Sequence, residues 1–201
     1  MTATPRRTQA ERSHGTQAKL AQAAYAVIAA RGHTALRMAA VAEEAGVSQG
    51  ALLHHFPDKN ALTKAAIHHA LAMAGVDSER ALAKAPTDPT KLLDMMIADF
   101  RSFFFGDYFW VALGITLDAN RNPDLAAQIG EDVGELRRPI YAAWAEKLAS
   151  AGWQRGSVEE MVRSAAALIS GLAVRKLWAP HDAISDRLIE DWQVAALTRV
   201  A

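Results

Sequence analysis

Residues 37–62, RMAAVAEEAGVSQGALLHHFPDKNAL, constrain the fold more than any other segment of the chain. Ala42 precedes Gly46 by four positions, and Leu52 follows it by six. This spacing is typical of a helix-turn-helix, in which a small residue allows two helices to cross closely and a glycine forms the sharp turn between them. Such a unit usually places its second helix in the major groove of DNA. The segment therefore predicts DNA binding.

The charge distribution supports the same interpretation, although the net charge of the chain is zero. Residues 1–69 contain 8 Lys and Arg against 4 Asp and Glu, whereas residues 70–201 contain 14 against 18. A basic N-terminal third beside an acidic remainder favours a small DNA-binding module joined to a different kind of domain. The absence of cysteine excludes disulfides, thiolate zinc sites and cysteine nucleophiles.

Helical periodicity and capping signals predict an all-α fold of about nine helices and no strands. The predicted helices cover residues 16–31, 38–45, 48–55, 59–83, 89–105, 108–119, 123–152, 157–178 and 183–199. Asp58 and Asp88 are expected N-caps, Ser157 and Glu160 an expected capping box, and Pro139 an expected kink. The predicted domains are a flexible basic arm (1–15, with Arg6, Arg7 and Arg12), a three-helix helix-turn-helix domain (16–58) and a larger helical ligand-binding and dimerisation domain (59–201).

The first 60 or so residues resemble the DNA-binding domain of the TetR family of bacterial transcriptional repressors. The matching residues are Ala23, Ala24, Gly32, Val41, Ala42, Ala45, Gly46, Val47, Ser48, Leu52, His55, Phe56, Lys59 and Leu62. The remaining two thirds resemble the family in length and helix count. Residues 165–175, AAALISGLAVR, are similar to a helix that family members often use for dimerisation.

The resemblance implies that residues 48–55 form the recognition helix. Gln49 is the best candidate for a base contact, because its amide can pair with adenine. The predicted DNA-binding residues are Arg37, Ser48, Gln49, Gly50, Leu53, His54, His55 and Lys59. Two of them depart from the family pattern, which commonly has Tyr in place of Leu53 and Thr in place of Arg37. Leu53 cannot donate to a phosphate, and packing in the core is its alternative role.

A tract of seven aromatic residues lies between Phe100 and Trp110. One helix face cannot bury so many rings, so some are expected to line a cavity or a subunit contact, while the rest pack in the core. The predicted ligand-binding residues are Phe104, Trp110, Leu113, Leu117, Tyr141, Trp144 and Arg175, and the expected ligand is apolar or aromatic.

The resulting prediction is a ligand-responsive repressor that binds a palindromic DNA operator as a homodimer and is released by a small-molecule effector. The resemblance implies that the last two helices (about 157–178 and 183–199) form the dimer interface. The alternatives are a constitutive or activating DNA binder without an effector, and a helical enzyme or carrier.

No catalytic or cofactor motif is present, and the paired histidines have no carboxylate at a metal-ligand spacing. No cofactor is expected. No apolar run of about 20 residues could span a membrane, and a cytoplasmic location is expected.

Overall fold

The computed structural model describes residues 9–180 and 184–198, with side chains from residue 13 onwards. The helices in this part of the chain are α1 (Gln9–Arg31), α2 (Met38–Ala45), α3 (Gln49–His55), α4 (Lys59–Ala83), α5 (Pro89–Phe104), α6 (Asp107–Ala119), α7 (Pro123–Ser150), α8 (Val158–Arg175) and α9 (Ile184–Leu197). A short 3-10 turn, His33–Ala35, follows α1. No β-strand occurs among these residues, and the all-α prediction is confirmed.

The start of α1 differs from the predicted one. The helix begins at Gln9, so residues 9–15 of the expected flexible arm are helical. Gln, Ala, Glu and Arg are good helix formers, and the segment QAER extends the helix toward the N-terminus. Arg6 and Arg7 lie outside the described residues, and Arg12 lies on α1 without a described side chain.

Local capping explains why several helices begin where the sequence predicted. The backbone N–H of Ala61 donates to Asp58 Oδ1 at 2.8 Å, and that of Lys91 donates to Asp88 Oδ1 at 2.8 Å. Each carboxylate satisfies a donor that the first turn of the helix leaves free.

The predicted capping box at the start of α8 is wrong. The Ser157 hydroxyl donates to the Gln154 carbonyl at 3.0 Å and makes no cap bond to the helix. Ser157 has φ −120° and ψ −10°, whereas a capping serine usually has an extended backbone. α8 also ends at Arg175, three residues before the predicted end.

The chain divides into two compact units. The N-terminal unit contains the described residues up to Ala70 together with Val111–Asp132, and the C-terminal unit contains Leu71–Trp110 and the described residues from Val133 onwards. This division differs from the predicted boundary at residue 59, because parts of α6 and α7 belong to the N-terminal unit. Helices α4, α6 and α7 each contribute residues to both units.

A half-buried histidine joins three elements of the N-terminal unit. His33 Nδ1 lies 2.9 Å from Asp118 Oδ2 on α6, and His33 Nε2 lies 3.1 Å from Thr63 Oγ1 on α4. A neutral ring with its proton on Nδ1 can donate to the carboxylate and accept from the hydroxyl. One tautomer therefore satisfies both contacts.

A buried carboxylate joins three helices of the C-terminal unit. Asp99 on α5 accepts a hydrogen bond from the Ser78 hydroxyl on α4 at 2.9 Å and another from Trp144 Nε1 on α7 at 2.8 Å. Burial raises the pKa of Asp99 above its ordinary value, and the two hydrogen bonds offset only part of this shift. The cluster satisfies the indole N–H of Trp144, which is fully buried.

We expect the raised pKa of Asp99 to affect stability. Above pH 3.8 the unfolded chain releases this proton while the folded chain retains it, so the contribution of Asp99 to the free energy of unfolding decreases as pH rises through the raised pKa. Asp99→Asn should remove this decrease, so the variant should gain stability relative to the wild type as pH rises from 3.8 through the raised pKa of Asp99. Urea unfolding at several pH values and one protein concentration measures the difference.

Asp99→Leu is the control for the loss of the hydrogen bonds. It leaves Ser78 and Trp144 without their acceptor and should destabilise the protein by about 1–3 kcal/mol. A stability difference between Asp99→Asn and the wild type that does not change with pH would contradict the raised pKa.

Candidate nucleic-acid interface and effector cavity

The turn between α2 and α3 is formed by Gly46, which has φ 63° and ψ 41°. Its backbone N–H donates to the Glu43 carbonyl at 3.0 Å, and that of Val47 donates to the Ala42 carbonyl at 3.0 Å. These two bonds form a Schellman motif, which ends a helix with a residue in the left-handed region. Glycine adopts this region without steric cost, so the turn depends on Gly46.

α3 begins directly after this turn. The Ser48 hydroxyl oxygen accepts from the backbone N–H of Ala51 at 3.2 Å and caps the helix. Leu52 is fully buried, and so are Val41, Ala42 and Ala45 on α2. Burial of Leu52 therefore fixes which side of α3 faces the core and which side faces solvent.

The solvent side of α3 carries the residues predicted to read DNA. Gln49, Gly50 and His54 are exposed and His55 is half-buried. Leu53 is 48% exposed, so it does not pack in the core, which was its alternative role. A Cβ at Gly50 would meet only Ser48 Oγ, at 4.0 Å, so the fold itself does not require glycine there. The bare backbone at this position permits close approach of a partner.

The polar groups around α3 are free to bind a partner. Arg37 lies before α2 and Lys59 begins α4, and both side chains are exposed. Neither of them, nor Gln49, has a hydrogen-bond or ion-pair partner within residues 9–180 and 184–198. α3 has no acidic residue, and the exposed acids nearest to it in sequence are Asp58, which caps α4, and Glu44 on α2. These free donors suit contacts to phosphates and base edges.

The structure does not gather the seven predicted ligand-binding residues around one cavity. Phe104 and Trp144 are buried, and Trp110 and Tyr141 are half-buried in the same C-terminal unit. Leu113 and Leu117 belong to the N-terminal unit, and Leu117 is 60% exposed. Arg175 is exposed at the end of α8.

Much of the aromatic tract packs against itself. The rings of Phe103 and Phe104 both contact Phe109, at centroid distances of 5.9 and 5.1 Å. The Phe100 ring lies 5.7 Å from that of Tyr141. These edge-to-face pairs stabilise the core of the C-terminal unit.

A cavity of about 580 Å³ lies between α7 and α8 in the C-terminal unit. This size is in the range of small-molecule sites. Tyr141 is the one predicted ligand-binding residue that lines it. The other lining residues include Val133, Arg137, Ala142, Glu159 and Arg163.

Sequence reasoning missed Arg137. Its side chain is buried, and its guanidinium carbon lies 3.9 Å from the centre of the Phe103 ring and 5.3 Å from that of Tyr141. The doublet Arg137-Arg138 in an amphipathic helix is ordinarily solvated, which conceals the burial of its first member. The available signal was helical spacing, because Val133, Arg137 and Tyr141 follow one another at four-residue intervals on one face of α7.

Two classes of site are not found in the described part of the chain. No group of three or more His, Asp or Glu side chains there could hold a metal ion. No helix there is long and apolar enough to cross a membrane.

Comparisons with known proteins identify the family. The profile of the bacterial regulatory proteins of the tetR family matches residues 20–66. The HTH-type transcriptional regulator CymR of Pseudomonas putida is 36% identical over 173 residues, which are 86% of this chain and 85% of that protein. The HTH-type transcriptional regulator BetI of Brucella anthropi is 29% identical over 180 residues, with 87% and 89% covered.

Solved structures share the fold at lower identity. A TetR transcription regulator from Haloarcula marismortui superposes with a TM-score of 0.71 at 16% identity, covering 94% of this chain and all of that one (100%). The multidrug binding protein EbrR, in complex with imidazole, has a TM-score of 0.61 at 19% identity, covering 92% and 94%.

The helix-turn-helix geometry and the level of identity to CymR lead to one conclusion. The homologues are transcriptional regulators, so the chain is a regulator and not an enzyme. This chain is a member of the TetR family of DNA-binding transcriptional regulators.

Proposed function

We propose that the chain is a ligand-responsive repressor that binds a palindromic operator as a homodimer and is released by a small-molecule effector. The observation that carries the proposal is the exposed side of α3, where Gln49 has no hydrogen-bond partner among the described residues. A polar side chain on the exposed side of a capped helix is available to a base edge without the loss of an internal hydrogen bond. The two basic residues that flank the helix-turn-helix, Arg37 and Lys59, provide phosphate contacts on either side of it.

The exposed face of α8 supports the dimer. Ser164, Ala167 and Gly171 recur at intervals of three and four residues and are exposed or partly exposed, while the opposite face of the helix is buried. Small residues allow a second helix to approach closely. Trp178, which follows α8, is 77% exposed, and Val194 on α9 is 68% exposed. Exposed apolar side chains of this size favour an interface with another subunit.

Release follows from a population shift. The effector must bind more tightly to a conformer whose two recognition helices do not match the operator spacing. α4, α6 and α7 contribute residues to both units, so each is a candidate to couple the cavity to the DNA-binding helices. A cavity of about 580 Å³ supports an effector over the alternative of a constitutive or activating DNA binder.

Selection from random duplex DNA at moderate salt should yield a palindromic site. Gln49→Ala should weaken binding to that site by about 1–3 kcal/mol and relax the base preference at one position of each half-site. Lys59→Ala should weaken binding to all sequences and reduce the slope of log K against log salt by about 1 per recognition helix. Fluorescence anisotropy at several salt concentrations measures both effects.

Glu44→Ala is the control, because Glu44 is exposed on α2 and offers DNA only a repulsive charge. It should bind as tightly as the wild type or more tightly. Failure to enrich any sequence, with a folded dimeric protein, would sink the operator proposal.

Ala167→Glu should prevent dimer formation. Ala167 is exposed on α8, so glutamate does not disturb the packing of the single chain, but two copies would place like charges on the proposed interface. Ala72→Glu, at an exposed position of α4, is the matched control and should remain dimeric. Light scattering after size-exclusion chromatography distinguishes the two, and an unchanged dimer in Ala167→Glu argues against the α8 interface.

A further inference from the structure

We propose that the cavity between α7 and α8 binds an organic monocarboxylate with an apolar or aromatic body, and that the carboxylate pairs with Arg137. This inference deepens the proposed function, because it names the chemical class of the effector. It rests on the proposed function only for the regulatory consequence of binding.

Arg137 carries a charge that the protein does not neutralise by contact. The residue is 5% exposed, and its Nε, Nη1 and Nη2 atoms have no hydrogen-bond partner in the described part of the chain. Guanidinium remains charged at all ordinary pH values, so it cannot avoid the cost of burial by losing a proton. A buried charge without a hydrogen-bonded partner destabilises the folded protein. The site therefore lacks an anionic partner for the Arg137 guanidinium.

The aromatic rings beside Arg137 fix its position but do not supply that anion. Its guanidinium carbon lies 3.9 Å from the centre of the Phe103 ring and 5.3 Å from that of Tyr141. Contact with aromatic faces is favourable for guanidinium, yet it leaves the N–H donors of Arg137 without hydrogen-bond partners. Those donors form a planar fork that matches a carboxylate.

Asp99 does not serve as the missing partner. It interacts electrostatically with Arg137, but its two oxygens accept from Ser78 and Trp144, and it forms no ion pair with the guanidinium. Burial also raises the pKa of Asp99, which weakens it as a counter-ion. The internal carboxylate therefore makes no contact that neutralises Arg137, and an external carboxylate can make it.

The rest of the lining defines the ligand further. Val133, Ala142 and the ring of Tyr141 provide apolar walls. At the rim, Arg163 and Arg138 are exposed cations, Glu159 is an exposed anion, and Arg138 is already paired with Glu135 at 2.7 Å. Arg137 is the buried cation of this lining and is neutralised by one negative charge, while the exposed charges at the rim remain hydrated. A monocarboxylate with an apolar body fits both the charge and the walls.

Isothermal titration calorimetry with benzoate, phenylacetate and 2-naphthoate tests the inference, with the neutral amide of each acid as its shape-matched control. We expect at least one carboxylate to bind saturably and its amide to bind at least tenfold more weakly. The same carboxylate should raise the melting temperature, because a ligand that binds only the folded state stabilises it.

Arg137→Met should abolish the preference for carboxylate over amide. It should also raise the melting temperature of the ligand-free protein, because it replaces a buried unpaired charge with an apolar side chain of similar length. Arg137→Lys retains the charge without the planar fork, and it should bind the carboxylate more weakly than the wild type but better than Arg137→Met. Arg80→Met, at an exposed position of α4 outside the cavity, is the matched control and should bind as the wild type does.

Three results would overturn the inference: amides that bind as well as acids, a carboxylate affinity in both Arg137 variants within twofold of the wild type, or no saturable binding of any acid at millimolar concentration. The operator assay separates this inference from the proposed function. A carboxylate that binds through Arg137 but does not release DNA supports the site and contradicts its effector role. DNA release by a neutral compound, with no binding of any acid, supports the proposed function and contradicts the carboxylate site.

Discussion

The left-handed backbone of Gly46 is the constraint on which the DNA-binding surface depends. It ends α2 after Ala45 and begins the path to α3 within three residues, so that Leu52 reaches the core. With Leu52 buried, the period of the helix leaves Gln49, Leu53 and their neighbours on the outer side. A side chain at position 46 would be strained by its positive φ whatever the surrounding space, and α3 would lose the orientation that makes its exposed side useful.

Those parts of the structure that local chemistry determines could be predicted from the sequence. The bounds of α2 and α4 match the predicted ones because a glycine turn, an aspartate cap and a proline mark their ends within a few residues. Prediction failed where the backbone conformation did not suit the role that the residue type indicated. Ser157 has the residue type of an N-cap, but its backbone is not extended and its hydroxyl oxygen accepts no bond from the helix.

The contacts that could not be predicted connect residues far apart in the chain. His33 and Asp118 are separated by 85 positions, and neither belongs to a motif that would predict their contact. The same is true of Arg137, whose burial depends on Phe103 from another helix. The aromatic tract correctly indicated where the C-terminal core would form. It did not indicate the cavity, because rings that pack on one another leave few of their faces to line an empty space.

The uncompensated charge of Arg137 has a consequence for the lifetime of the protein. If a carboxylate binds in the cavity, the ligand-free regulator unfolds more readily than the bound one. The carboxylate-bound regulator then resists proteases better. The amount of regulator would then rise with its own signal, so that a cell exposed to the signal keeps a larger stock of the molecule. When the signal disappears, that stock would let the proposed repressor re-establish silencing quickly, since the protein needed for it is already made.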